Sequence, residues 1–224
     1  MSAEMPPEVA AATVKKLEAE TALFEAQAEE VKQKARSLKV EADTEERDEQ
    51  ILLAANRYNK VYVFNGEVGA GSVANCMNQL DVWRRNDPGC DIEIVFTSPG
   101  GSVVDGLALW DYLQEVKRAG HHLTTVAYGM AASMAGILLQ AGDTRILGKE
   151  SWLMIHEASF RAGGKIGEVE DTVEWVKRVQ ERILDIFAER STKSRAAIKK
   201  NWTRKDWWLS SDEALAWGFI DEVR

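Results

Sequence analysis

The sequence predicts an α/β fold of repeated strand-turn-helix units, preceded by an N-terminal helical extension. From Lys60 onward, short apolar segments alternate with amphipathic ones, as is typical of a layered α/β domain. The first 55 residues are instead rich in Ala, Glu and Lys, and all eight Trp residues lie after position 80. We therefore expect a helical extension over residues 1–56 and a compact domain over 57–224.

The extension carries a seven-residue repeat, which is the pattern of a coiled coil. Its large members are Leu17, Phe24, Val31 and Leu38. The positions three residues earlier in each heptad hold Val14, Thr21, Ala28, Ala35 and Ala42. Charged neighbours such as Glu18, Lys32 and Lys34 suit a solvated face. The repeat predicts either self-association or a single amphipathic helix lying on its own domain.

Composition excludes several classes of function. A net charge of -8 argues against a nucleic-acid-binding surface, which needs clustered Lys and Arg. The sequence has no apolar run of membrane-spanning length and no secretory leader pattern, so we expect a cytoplasmic protein without a membrane partner. Cys76 and Cys90 form no metal-binding or disulfide pattern. Cys76 is expected to be a small buried hydrophobe.

The compact domain begins with two strand-turn-helix units. The predicted strands are 61–64, 92–96 and 123–128. A helix capped by Ser72 joins the first two, and a helix near Val103 joins the second pair. Because sites in open α/β sheets form at the carboxyl ends of the strands, we expect the functional residues in the following turns.

Ser133 lies where the third strand gives way to an apolar helix. A hydroxyl at a helix start meets backbone N–H groups and the positive end of the helix dipole, which favour negative charge on a nearby oxygen. Serine is also a common helix cap, so the position alone favours a capping role. The other motifs reverse that preference.

Two further motifs supply the groups that a nucleophilic serine needs. Gly100 and Gly101 follow a buried strand, and their backbone N–H groups can point at a ligand oxygen or pair with an extended peptide. His156 ends an apolar strand, a rigid position for a general base. The other two histidines, His121 and His122, lie in a polar loop and are expected to be exposed.

The acid that would orient His156 is less defined. Glu168, Glu170 and Asp171 all begin a long amphipathic helix that ends near Arg190. Since the dipole favours acidic residues in a first helical turn, position alone does not choose among them.

Three motifs together resemble the Clp peptidase family: residues 98–103 (Ser-Pro-Gly-Gly-Ser-Val), 129–135 (Gly-Met-Ala-Ala-Ser-Met-Ala) and 154–156 (Met-Ile-His). They occur in the family's order with similar spacing, and the similarity runs from about Val61 to the C-terminus. The resemblance implies a crotonase-like ClpP fold in which helix 168–190 protrudes as a handle. It also implies a serine endopeptidase that needs no metal or cofactor.

The resemblance further implies a role for each motif. Ser133 would be the nucleophile and His156 the general base. The oxyanion hole would comprise backbone N–H groups near Gly100 or Gly101 and that of Met134. Aligning residues 187–191 with the end of the family's handle selects Glu168 as the acid, where the family usually has Asp, with Asp171 in reserve. A substrate strand would pair with the backbone of Ser102 and Val103.

The family also implies polypeptide substrates, homo-oligomeric rings, commonly heptameric, and an ATP-driven unfoldase as partner. The helical extension departs from the short axial loop that is usual in the family. Phage-encoded relatives that process capsid or scaffold proteins resemble the pattern as well. Two alternatives remain: a catalytically silent structural member and a crotonase-type acyl-CoA enzyme.

Overall fold

The computed structural model describes residues 6–224, so the first five residues of the predicted extension lie outside the described residues. The described chain divides into two compact units, one ending at Ala55 and the other comprising Asn56–Arg224.

The first unit is a single helix, α1 (Pro7–Ala54). Its sequence contains good helix formers and no glycine, and Pro7 lies in the first turn, where the missing N–H costs no hydrogen bond. Every side chain described in this helix is exposed. The prediction of an N-terminal helical extension is confirmed. Within the described range, no helix combines the length and hydropathy needed to cross a bilayer.

The second unit is an α/β structure, as predicted. Its elements in chain order are β1 (Val61–Asn65), α2 (Ala70–Asn86), β2 (Ile92–Ser98), α3 (Val103–Arg118), β3 (Leu123–Ala132), α4 (Met134–Leu139), β4 (Thr144–Leu147), β5 (Trp152–Ile155), α5 (Ile166–Arg190), α6 (Arg195–Trp202), β6 (Trp207–Ser210), α7 (Ser211–Trp217) and β7 (Glu222–Val223). Strands β1, β2, β3, β4 and β7 lie side by side in that order and are parallel.

Strand β5 departs from this order. It pairs in parallel with the last residues of β3 and in antiparallel fashion with β6. Strand β3 is long enough for both neighbours because its first half pairs with β4 and its second half with β5. The sequence predicted only the first half of β3, since small residues and a glycine break the β-branched pattern after Tyr128.

Burial of the central strands and helix faces produces the core. Ile94 and Phe96 of β2 and Leu109 and Leu113 of α3 are fully buried, as expected for parallel strands covered by helices. Cys76 is also fully buried, which confirms the prediction for it, and burial raises the pKa of its thiol. The thiol is therefore protonated and unreactive at neutral pH.

Two local predictions need correction. Helix α2 begins after Gly69 rather than at Ser72, because the Ser72 hydroxyl accepts a 3.0 Å hydrogen bond from the Gly69 N–H one turn back. His121 is buried rather than exposed, because its Nδ1 lies 2.9 Å from the carbonyl oxygen of Cys90. His122 is exposed, as predicted.

The C-terminal end of the chain is attached to β4 by a buried cation. Arg145 is 5% exposed and binds both carboxylate oxygens of Asp221, at 2.9 and 2.6 Å. Burial alone would raise the pKa of Asp221, but the hydrogen bonds and charge of Arg145 outweigh it and lower that pKa. The carboxylate thus stabilises the fold in its charged form.

Replacing Asp221 by Asn should lower the free energy of unfolding by roughly 2–3 kcal/mol, because Arg145 would remain buried without its counter-ion. Because the folded pKa lies below the unfolded value of about 3.9, the wild-type contribution is present above that pH and lost as the pH falls through the folded pKa. Urea unfolding at pH 7 and at acidic pH measures both effects. The exposed Asp111→Asn is the matched control, and an equal loss in both variants would contradict the assignment.

Candidate active site

Ser133 lies in a strained turn between β3 and α4. Its φ of 52° and ψ of -122° fall in a region that residues with a side chain rarely adopt. Its N–H donates a 2.9 Å hydrogen bond to the carbonyl of Met154 in β5, which anchors the backbone. A sharp strand-to-helix turn of this kind presents a serine hydroxyl outward from a sheet edge.

His156 reaches this hydroxyl because β5 lies beside the end of β3. Ala132 is paired with Met154, so the residues that follow each strand emerge next to one another. The Nε2 atom of His156 lies 2.7 Å from the Oγ atom of Ser133. This is the distance of a good hydrogen bond, and it joins a hydroxyl to a group that can take its proton.

A carboxylate meets the other ring nitrogen of His156. Strand β6 pairs with β5 so that Ile155 faces Trp207, and the next position in that antiparallel register places His156 opposite Asp206. The Nδ1 atom of His156 is 3.6 Å from Oδ1 of Asp206. This separation exceeds that of a direct hydrogen bond, and such contacts often tighten only when substrate binds.

Asp206 is an exposed carboxylate at the end of a loop that a hydrogen bond attaches to the segment of His156. Its side chain is 68% exposed. Two residues earlier, the N–H of Arg204 donates a 3.0 Å hydrogen bond to Glu157, which follows His156 directly. The histidine segment and the aspartate segment are therefore connected twice, by the strand pair and by this hydrogen bond.

The structure does not bring Glu168 or Asp171 to His156. Glu168 lies in the first turn of α5, and its Oε2 accepts a 3.0 Å hydrogen bond from the Lys165 N–H, which caps the helix. Asp171 is exposed on the same helix. Among the residues that the structure describes, Asp206 is the acid within ion-pair distance of this histidine.

The sequence-based prediction placed the acid near the start of the long helix and did not include Asp206. The sequence shows only that Asp206 directly precedes the apolar segment 207–210 and that His156 directly follows the apolar segment 152–155. Antiparallel pairing of two such strands brings their flanking residues together. Nothing in the sequence indicated that these two segments pair.

The glycine turn lies against the serine. Gly100 has a φ of 94°, and a Cβ atom at this position would stand 2.7 Å from the Cβ of Ser133 and 2.8 Å from the nitrogen of Met134. The Gly100 N–H donates to Ser98 Oγ at 3.2 Å. The bridge between Gly101 and Val68 uses the Gly100 carbonyl and the Ser102 N–H.

Two N–H groups near Ser133 therefore remain for a ligand oxygen. That of Gly101 takes no part in the bridge to Val68. That of Met134 is the first of helix α4, where an amide has no acceptor within its own helix. Both residues line a cavity of about 40 Å³ that also contains Ser133 and His156.

A second, larger cleft adjoins this cavity. It measures about 250 Å³, and Ser102 and Val103 lie on its wall together with Gly101. Its other lining residues are mostly apolar: Val104, Ala158, Ser159, Phe160, Trp175, Val176 and Val179. The residues predicted to bind an extended substrate thus border an apolar surface next to the serine.

A strained serine, a histidine in hydrogen-bond contact with it and two N–H groups beside the same cavity are typical of the serine-hydrolase class. The Clp protease family model matches residues 43–224. The chain belongs to the Clp protease family, which confirms the resemblance carried by the three motifs.

Curated relatives agree with this assignment. The ATP-dependent Clp protease proteolytic subunit 1 of Prochlorococcus marinus (strain MIT 9312) is 36% identical over 164 residues, which cover 72% of this chain and 82% of the relative. The ATP-dependent Clp protease proteolytic subunit of Bacteroides fragilis (strain ATCC 25285) is 37% identical over 141 residues, covering 61% and 65% respectively.

Replacing Gly100 by Ala should abolish most reactivity of Ser133, because the new methyl group would displace the serine and the Met134 amide. Gly120→Ala is a matched control: its φ is 95° and its Cβ would meet no atom within 4 Å. Both variants incur the strain of a left-handed residue, about 1–2 kcal/mol. Thermal unfolding and the rate of labelling by a serine-directed phosphonate separate the two effects. Equal labelling of both variants would contradict this packing role.

Proposed function

We propose that this protein is a serine endopeptidase in which Ser133 is the nucleophile, His156 the general base and Asp206 the acid that orients the base. The observation that carries the proposal is the 2.7 Å contact between Ser133 Oγ and His156 Nε2 at a strained serine. The strain has a functional rationale, because the turn that causes it also exposes the hydroxyl.

The reaction would proceed through an acyl-enzyme. Ser133 Oγ attacks the carbonyl carbon of the substrate while His156 Nε2 takes the hydroxyl proton, and the C–N bond then breaks as that proton passes to the leaving amine. In the second half a water molecule attacks the acyl carbon while His156 takes its proton, and the bond between Ser133 Oγ and the acyl carbon then breaks as that proton returns to Oγ, releasing the carboxylic acid product. Asp206 would stabilise the imidazolium that forms in each half.

The backbone supplies the remaining groups. The N–H groups of Gly101 and Met134 would bind the oxyanion of each tetrahedral intermediate. An extended substrate would pair with the backbone at Ser102 and Val103. Such pairing uses main-chain hydrogen bonds, which do not depend on the substrate's side chains. The apolar cleft beside these residues favours an apolar substrate side chain next to the cleaved bond.

The finer features of the family are part of the proposal. These are a crotonase-like subunit, α5 as a handle between stacked rings, a separately folded N-terminal helix, a cytoplasmic location and an ATP-driven unfoldase as partner. The exposed start of α5 supports the handle role, since Ile166, its first residue, is 80% exposed. For substrates we propose unfolded polypeptides, with phage capsid or scaffold proteins as a narrower class.

A fluorophosphonate probe tests the nucleophile. Wild type should be labelled, Ser133→Ala should not, and His156→Ala should be labelled at least a hundredfold more slowly, because the hydroxyl would lose its base. Labelling that survives Ser133→Ala would overturn the assignment. Absence of labelling in the assembled wild type would favour the catalytically silent alternative, and cleavage of an acyl-CoA thioester in place of peptides would favour the crotonase-type alternative.

Peptidase rates identify the acid. Asp206→Asn should lower kcat roughly ten- to hundredfold, less than the loss for a buried triad aspartate, because Asp206 is exposed. KM should stay unchanged, since Asp206 contacts the histidine rather than substrate. Glu168→Gln and Asp171→Asn are the matched controls on α5. If Glu168→Gln alone reproduced the loss, the acid would be Glu168.

A further inference from the structure

Helix α1 carries an exposed apolar stripe. Its large members are 57% (Leu17), 71% (Phe24), 68% (Val31) and 58% (Leu38) exposed. A seven-residue spacing keeps these side chains on one face that drifts slowly around the helix, and a second helix can follow that drift by supercoiling. Such a stripe on a helix about 70 Å long marks a surface for another helix.

We propose that α1 pairs with α1 of a second copy of this chain in an antiparallel coiled coil, with Ala28 of each helix facing Val31 of the other. This inference does not depend on the peptidase activity. Two independent features of the helix select this orientation and register: the distribution of side-chain volume and the distribution of charge.

The side-chain volumes favour antiparallel helices. In a parallel pair in register, each seam residue faces its own copy, so that three Ala–Ala layers would alternate with layers of two large residues. In the antiparallel register, every small residue faces a large one. The facing pairs are Thr21 with Leu38, Ala28 with Val31, Ala35 with Phe24, and Ala42 with Leu17. Facing small and large residues fill a seam evenly, whereas Ala–Ala layers leave gaps.

The charges beside the seam also favour this arrangement. The residues that directly follow the large members are Glu18, Glu25, Lys32 and Lys39. Two glutamates thus precede two lysines along one flank. When the helices run in opposite directions, this flank of one helix lies beside the same flank of the other, with the order of its residues reversed. Each Glu then faces a Lys of the second copy, Glu18 with Lys39 and Glu25 with Lys32.

A parallel pair would bring like charges together instead. The other flank of the seam consists of the residues that directly precede the small members, such as Glu20, Lys34 and Glu41. In a parallel pair each of these residues faces the residue five positions further along in the second helix. The resulting contacts are Glu20 with Glu25, Lys34 with Lys39, and Glu41 with Glu46. All three are repulsive, and none of the attractive contacts of the antiparallel pair is formed.

The antiparallel pair has one repulsive contact, between Glu20 and Glu41 of the second copy. Lys16 lies 3.9 Å from Glu20 in the same helix and offsets part of that charge. Exposed ion pairs contribute little individually. The apolar stripe would therefore supply most of the association energy, and the charges would set the orientation.

Cross-linking in the full-length protein tests the register. Thr21→Cys and Leu38→Cys are made as separate variants in a Cys90→Ser background, in which the remaining native thiol, that of Cys76, is buried and does not react. Each variant by itself, and the two variants co-expressed, are then treated with a short bismaleimide. We expect cross-linked dimers only when both variants are present. In a parallel pair each of these residues would face its own copy, so each variant would cross-link alone, whereas residues 21 and 38 of the two chains would be about 25 Å apart. That result, or no cross-link in any sample because α1 lies on its own chain, would overturn the proposal.

Charge reversal gives a second test, because it should weaken association of an antiparallel pair and strengthen association of a parallel pair. Glu25→Lys should weaken association of the antiparallel pair roughly fivefold or more, because two contacts with Lys32 become repulsive. The same change would strengthen a parallel pair by creating an attraction to Glu20. Adding Lys32→Glu should restore association. The control Glu30→Lys makes the same change in charge away from the seam and should have no effect.

The concentration dependence of cross-linking measures these changes, and circular dichroism checks that each variant keeps its helix content. Stronger association of Glu25→Lys, or failure of Lys32→Glu to restore it in a fully helical protein, would overturn the antiparallel orientation.

Discussion

The site depends on the position of β5 between β3 and β6. The parallel pairing with β3 sets His156 beside Ser133, and the antiparallel pairing with β6 sets Asp206 opposite His156. A shift of one residue between β5 and β3 would turn the imidazole away from Ser133, and a shift between β6 and β5 would turn Asp206 away from the imidazole, since side chains alternate along a strand. The hydrogen bond from the Ser133 N–H to the Met154 carbonyl continues the first pairing into the strained turn. Backbone register, rather than contacts among the side chains themselves, therefore aligns the three groups.

The glycine turn is a second constraint on the serine. Gly100 packs so closely on Ser133 and Met134 that no side chain could be accommodated there. Its φ of 94° is also one that glycine adopts readily and other residues do not. The turn whose N–H we propose for the oxyanion hole thus also packs against the strained backbone of Ser133. Close packing explains why a position remote in sequence is fixed to within atomic dimensions of the serine.

The sequence allowed prediction of features that local patterns encode. The alternation of strands and helices, the helix of the extension and the burial of Cys76 follow from periodicity and composition, and all agree with the structure. The contact between Ser133 and His156 was expected only through the order of motifs. Asp206 could not be predicted, because its position follows from the pairing of β6 with β5, which no local pattern specifies. The burial of His121 was missed for the same reason, since its partner is the carbonyl of Cys90, 31 residues away.

The exposure of Asp206 limits what this carboxylate can do in a single chain. At 3.6 Å from the imidazole but largely surrounded by water, its attraction for an imidazolium is weakened by the solvent and by dissolved ions. The same pair of charges would interact several times more strongly if water were excluded from this face. A substrate chain lying over His156, or a neighbouring subunit covering the loop of Arg204 and Asp206, would provide that exclusion. The activity of the site should therefore depend on what covers this loop as well as on the geometry of its three residues.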